Sequence, residues 1–253
     1  MFNLSVMAKH TIISSINTLK KKRIAVLVDP DSITDNAQLH QIIGLCELNK
    51  VDFILVGGSL ITNGNWDNCI KEIKANTSIP LILFPGNTMQ VHDQADAILF
   101  LSLISGRNSD LLIGKHVLAA PDLKRANIEI MPTGYMLIDG GTNSSVMYMS
   151  NTFPIPHSKN NIAATTALAG EMLGLKVIYM DAGSGAKNPV SAEMISAVKA
   201  QVNLPLFVGG GIRNVEQAVH ACKAGADVVV IGNAFEQNPQ LIETIANAVH
   251  ALN

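Results

Sequence analysis

Three glycine-bearing turns carry the strongest chemical signal in this sequence. The stretch "LFVGGGIRNVEQAVHACKAGADVVVIGNAF" delivers Gly209, Gly210 and Gly211 from an apolar run into a helical pattern, and a second apolar run ends at Gly232 and Asn233 before a short helical turn. Such turns bare backbone N–H groups and stand at the positive end of a helix dipole, so two of them at neighbouring strand ends are the parts of a phosphate site. A third turn, "DAGSGA", offers Gly183, Ser184 and Gly185 as a nest of donors, the serine hydroxyl adding one more bond. No GxxxxGK[ST] motif occurs, which points to a small phosphorylated substrate rather than a nucleotide.

Acids and hydroxyls supply the rest of the chemistry. Asp181 sits at the lip of the third turn, an odd place for a carboxylate if the turn receives an anion. "VDPDSI" ends an apolar run at Asp29 and "VGGSL" ends the next near Ser59. An acid and a hydroxyl at strand ends suit Mg²⁺, which takes one or two such oxygens and keeps its other positions for water and substrate phosphates. Asp29 is alternatively an N-cap or turn residue before Pro30; Asp31, followed by Ser32 ahead of a helical pattern, suits that cap better and a functional role equally.

These residues need a scaffold, and the chain spells one out. Eight apolar runs of strand length recur: "RIAVLVD", "VDFILVGG", "IPLILFPG", "ADAILFLS", "IEIMPTGYMLID", "KVIYMD", "LPLFVGGG" and "DVVVIGN". They are continuous in Val, Ile and Leu rather than alternating, as parallel strands covered on both faces are. Helical periodicity falls at 34–49, 62–76, 108–126, 160–174, 191–202, 214–224 and 239–251, with an earlier helix at about 9–21. The prediction is α/β, a (β/α)₈ TIM barrel forming a single domain over residues 1–253. About a dozen residues separate Phe84 from Ala97, too few for an ordinary crossover, so the third helix is expected to be irregular or missing. The segment 139–160 follows the C-terminal end of the fifth strand, on the active-site face of a barrel, and reads as a lid or substrate-side loop. One half of the mouth then holds a phosphate and the other a metal able to hold a second, larger anion. Two anionic substrates suggest group transfer.

Composition narrows the alternatives. Apolar residues make up 48% and charged residues 15%, which suits a globular chain with a large core. The net charge is −2, and the one basic run, Lys20 to Arg23, lacks interleaved aromatics, so nucleic acid is not expected and the run reads as a solvated helix end. Cys46, Cys69 and Cys222 are odd in number and lack CxxC spacing, which supports neither a disulfide framework nor a zinc site and fits a reducing cytoplasm. No segment reaches the roughly 18 apolar residues of a membrane span, so no transmembrane segment is expected. Met136, Met147, Met149 and Met180 are either core filling or the lining of a groove for a long flexible chain.

Taken in order, "VDPDSI", "VGGSL", "GYMLIDGGTNSSVMYMSNTFPIP", "YMDAGSGA", "VGGGIRN" and "VIGNAFE" resemble the geranylgeranylglyceryl phosphate synthase family from about residue 20 onward. The resemblance implies a TIM-barrel prenyltransferase that joins the allylic carbon of geranylgeranyl diphosphate to the C3 hydroxyl of sn-glycerol 1-phosphate, with Mg²⁺, in archaeal-type ether lipid synthesis. Bacterial relatives exist, some preferring other prenyl lengths. It places the magnesium ligands on Asp29 and Ser59. Glycerol phosphate contacts fall on Tyr179, Met180, Asp181, Ala182, Gly183, Ser184 and Gly185, on Gly209 and Gly210, and on Gly232 and Asn233. It further implies a dimer or hexamer. Many relatives carry Glu where this chain has Asp181.

On this reading Asp181 is catalytic. It hydrogen-bonds the glycerol hydroxyl and relays its proton as the ether bond forms, while Mg²⁺ neutralises the departing diphosphate. Two alternatives use the same barrel: a metal-independent sugar-phosphate isomerase or lyase with Asp29 and Asp181 as acid and base, and a phosphate-binding barrel without catalysis.

Overall fold

Every one of the eight apolar runs forms a strand in the computed structural model, which describes residues 11–232, 234–235 and 238–253. The strands are β1 (Arg23–Val28), β2 (Phe53–Val56), β3 (Leu81–Leu83), β4 (Ala97–Leu103), β5 (Glu129–Leu137), β6 (Val177–Asp181), β7 (Leu206–Gly209) and β8 (Val228–Ile231), and they close in sequence order into a parallel barrel. Alternation along each strand divides the core in two. Ala25, Phe53, Leu55, Leu99, Tyr135, Tyr179, Phe207 and Val230 fill the interior. Ile24, Val26, Ile54, Ile98, Ile178 and Met180 pack outward under the helices. Both faces are apolar, which is why the strands read as unbroken runs.

The helices follow their caps. In chain order they are α1 (Ile12–Leu19), α2 (Asn36–Leu48), α3 (Trp66–Asn76), α4 (Lys115–Ala126), α5 (Ser145–Ser150), α6 (Asn160–Met172), α7 (Ala192–Lys199), α8 (Val215–Ala224) and α9 (Leu241–His250). Asp35, Ser191 and Asn214 each accept the N–H three residues on, at the starts of α2, α7 and α8. A turn of π-helix, Asp110–Gly114, leads into α4. Between β3 and β4 no helix forms among the described residues, as the short crossover predicts.

The start of the helix expected at about 9–21 lies outside the described residues. From Ile12 onward α1 closes the lower end of the barrel: the N–H groups of Ile12 and Ile13 donate to the Glu129 carboxylate at 2.6 and 3.1 Å, and Ile16 is buried among interior side chains. The basic run is only partly a solvated end. Arg23 is buried and donates to the carbonyls of Ser15 and Lys21, and the Lys22 ammonium reaches the Ala226 carbonyl. The Lys22 and Arg23 charges thus tie α1 and β1 to the barrel base, while Lys20 and Lys21 stay exposed.

Candidate functional site

The upper ends of the strands surround a cavity of about 400 Å³. Inward parity on β6 brings Tyr179 to its floor and Asp181 to its wall, whereas Met180 and Ala182 belong to the outer layer, so their side chains stay out of the cavity. Phe84, Tyr135, Tyr179 and Phe207 form an aromatic stack beneath it, with Phe84 and Tyr179 centred 5.0 Å apart. Gly209 makes room for this floor: a Cβ there would lie 2.6 Å from the Tyr179 hydroxyl.

Asp181 is only 8% exposed. Oδ2 accepts from the Tyr135 hydroxyl at 2.6 Å and Oδ1 accepts from the Gly183 N–H at 2.6 Å. Burial raises its pKa above the usual carboxylate range, and the two donors oppose that shift. Burial and the Asp181 charge in turn hold the Tyr135 phenol well above its ordinary pKa, so it remains an O–H donor. Sequence patterning does not single out Tyr135. Its signal is parity: it faces inward on β5, directly beside Tyr179 in the register and two residues below the Leu137–Asp181 pair.

The glycine turns converge as expected, with one change in their roles. Gly183, Gly185, Gly210 and Gly211 all have positive φ, which only glycine adopts without strain. Gly210 lies so close to the third turn that a Cβ would sit 2.6 Å from both Asp181 Oδ1 and the Gly183 nitrogen. The Gly183 N–H, expected as a phosphate donor, is occupied by Asp181. The N–H groups of Gly185, Gly210 and Gly211 donate to no acceptor among the described residues, and these glycines line the cavity with Ser184 and Gly232. Asn233 lies outside the described residues.

On the facing wall Asp29 and Ser59 both line the cavity. Asp29 packs against Gly58, where a Cβ would lie 3.1 Å from either carboxylate oxygen. Its Oδ1 caps the short 3₁₀ turn Pro30–Ser32 through the Asp31 N–H, and burial, the largest influence, lifts its pKa. The cap role foreseen for Asp31 therefore falls to Asp29 here and to Asp35 at α2. Asp31 instead accepts from the Thr62 N–H and hydroxyl and the Asn63 N–H, clasping the loop after β2 to the loop after β1. One half-buried carboxylate and one hydroxyl fit a hard cation that takes its remaining oxygens from water and substrate. Among the described residues no three His, Cys, Asp or Glu side chains cluster as a complete ligand set.

The cavity continues sideways as an apolar groove. It runs past Val91, Ile98, Phe100 and Leu111 to Ala119 and Leu123, between the outer face of β4 and α4, where Lys115 and His116 also line it and no helix stands between β3 and β4 among the described residues. The segment 139–160 is not a structureless loop. It carries α5 and a parallel bridge between Ile138 and Ile155, and it lines the cavity through Ser145, Val146, Met149 and Ser150. Met149 is thus a cavity residue, whereas Met136 and Met180 are core.

Comparison with known proteins agrees with this geometry. The geranylgeranylglyceryl phosphate synthase of Chitinophaga pinensis is 52% identical over 230 residues, 91% of each chain. That of Spirosoma linguale is 51% identical over 243 residues, 96% of this chain and 97% of the relative. The crystal structure of (S)-3-O-geranylgeranylglyceryl phosphate synthase from Thermoplasma acidophilum, in complex with its substrate sn-glycerol-1-phosphate, superposes with a TM-score of 0.89 at 31% identity, covering 95% of this chain and 99% of that one. The model of the PcrB family matches residues 17–249, and with that match the chain belongs to the PcrB family.

Proposed function

We propose that this protein joins the allylic carbon of a prenyl diphosphate, geranylgeranyl diphosphate foremost, to the C3 hydroxyl of sn-glycerol 1-phosphate, releasing diphosphate. One observation carries the reading: a buried acid, Asp181, lines one cavity together with the glycine nest of Gly185, Gly210 and Gly211 and a largely apolar groove suited to a prenyl chain. The relatives named as synthases of this product, and the glycerol phosphate held by the Thermoplasma acidophilum protein, support it.

The nest of Gly185, Gly210 and Gly211 anchors the phosphate end of glycerol phosphate, so the far hydroxyl is oriented by its distance from that anchor. The hydroxyl oxygen attacks the prenyl C1, the bond from C1 to the diphosphate oxygen breaks with its electron pair on diphosphate, and the hydroxyl proton passes to Asp181. A carboxylate whose pKa is raised by burial is a stronger base for that proton, and its charge favours the positive charge developing at C1. Tyr135 keeps the acceptor oxygen aimed. The apolar groove holds the chain and excludes water from the reacting carbon.

Asp29 and Ser59 are the residues that would hold Mg²⁺. Bound there, it would neutralise the diphosphate leaving group. The same reading carries a homo-oligomer, for which exposed Val117, Leu118, Tyr148 and Phe153 offer apolar surface. It also carries a cytoplasmic setting, which the three free, buried cysteines suit. No helix among the described residues is long and apolar enough to cross a membrane. A sugar-phosphate isomerase finds less support, since its small substrate leaves the groove without a role.

The test is an assay of labelled prenyl diphosphates of graded length against both glycerol phosphate enantiomers, with Mg²⁺ and with chelator. Ether product from the 1-phosphate, greatest with the geranylgeranyl donor and lost on chelation, is expected. Glycerol phosphate binding with no ether product under saturating conditions would reject the enzyme reading. Asp29→Asn keeps the cap oxygen but loses a charge, so it should raise the Mg²⁺ concentration for half-activity; an unchanged value removes Asp29 from the metal site.

A further inference from the structure

Arg213 follows the glycine turn after β7, lines the cavity, and yet turns its charge onto the neighbouring turn. Its Nη2 donates to the Ala186 carbonyl at 2.6 Å and lies 3.5 Å from the Gly185 carbonyl, while Nη1 donates to the Lys187 carbonyl at 3.3 Å. Its own backbone is fixed by the start of α8: its N–H donates to Gln217 Oε1 at 2.8 Å, and the Gln217 N–H donates to Asn214 Oδ1 at 2.9 Å. The guanidinium therefore projects from an ordered platform.

We infer that Arg213 is a positioning residue for the phosphate nest, a clasp that gathers the carbonyls of residues 185–187 and so presents the N–H side of that turn to the anion. Carbonyls and N–H groups of a tight turn point in opposing senses, so holding three carbonyls on one side commits the donors to the other. A planar fork with several donors can grip carbonyls at three successive residues, which a lysine ammonium cannot do in the same geometry. The retained positive charge also raises the local potential felt by a phosphate. The clasp joins two turns that also meet where Gly210 lies against Gly183, so one residue couples both halves of the nest.

The inference rests on the reading that the nest takes the phosphate of glycerol phosphate. In steady-state kinetics Arg213→Ala should raise KM for glycerol phosphate roughly 10- to 100-fold, the range expected for losing charged hydrogen bonds, with kcat changed less and KM for the prenyl diphosphate unmoved. Arg213→Lys should recover only part of the loss. A parallel rise in both KM values, a fall in kcat with KM for glycerol phosphate unmoved, or full rescue by Lys overturns the clasp. Inorganic phosphate serves as a probe independent of turnover: it should raise the Tm of the wild type more than that of Arg213→Lys. Equal protection overturns the clasp. Failure of the wild type to use glycerol phosphate, with phosphate protection still lost in the variant, sinks the functional reading alone.

Discussion

The Tyr135 hydroxyl donates a 2.6 Å hydrogen bond to Asp181 Oδ2 from the adjacent strand, where the barrel wall buries this acid beside a glycine nest. That bond and the Gly183 N–H oppose the rise that burial imposes on the Asp181 pKa. Tyr135→Phe leaves only the Gly183 donor, so the Asp181 pKa rises further. In the proposed reaction Asp181 must be ionised to accept a proton, so activity should disappear as pH falls through that pKa. The acidic limb of the pH–rate profile should move to higher pH in Tyr135→Phe, with turnover at neutral pH reduced roughly 10- to 100-fold. A limb that stays in place would detach Tyr135 from the proton-accepting role of Asp181.

Asp181→Asn separates the catalytic value of the charge from its structural cost. Because the folded pKa lies above the unfolded one, the unfolded chain gives up this proton first. Stability contributed by the protonated acid is complete below the ordinary Asp range, about pH 4, and declines as pH rises through the raised folded pKa. Asn keeps an acceptor for Gly183 without the buried charge. Denaturation across pH should find the variant at least as stable as wild type at neutral pH, while turnover falls about 100-fold or more and glycerol phosphate binding changes little. A variant both unstable and unable to bind would make Asp181 a structural residue.

The barrel, its eight strands and the absent helix were legible because each rests on local rules: unbroken apolar runs for doubly covered strands, and a crossover between Phe84 and Ala97 too short for a helix. The glycine turns were legible for the same reason, since positive φ at Gly210 and Gly211 is a local demand. Tyr135 was not, because its meaning depends on the register of β5 against β6, which alternation does not fix. Gly183 carried a double message that only three-dimensional proximity resolves, its N–H serving the carboxylate rather than a phosphate. The shorter acid at 181 also makes sense only in space: the loop at Gly210 closes directly onto its Oδ1.

Gly210→Ala tests that closure. At φ +77° an alanine is strained by about 1–2 kcal/mol, and its Cβ would lie 2.6 Å from Asp181 Oδ1. Gly64 supplies the control, with φ +72° and nothing within 4 Å of an added Cβ. Both alanine variants should lose stability in denaturant titrations. Gly210→Ala alone should raise KM for glycerol phosphate, by about tenfold or more. Equal KM values in the two variants would mean that the Gly210 turn does not shape the phosphate site.

The groove beside β4 makes a separate claim, that the missing helix is what admits a long chain. Ala119 on α4 lines that groove together with Ile98 and Phe100, and its small side chain keeps the passage open. Ala119→Phe should fill it while leaving Asp181, the nest and Asp29 untouched. The loss should then depend on donor length: kcat/KM for a geranylgeranyl donor should fall by about tenfold or more, as overpacking of 1–3 kcal/mol would produce, while a shorter geranyl donor should be used nearly as before. KM for glycerol phosphate should stay constant in both cases. An equal loss with both donors would show that the chain does not run along α4, and the open flank of β4 would then need another occupant.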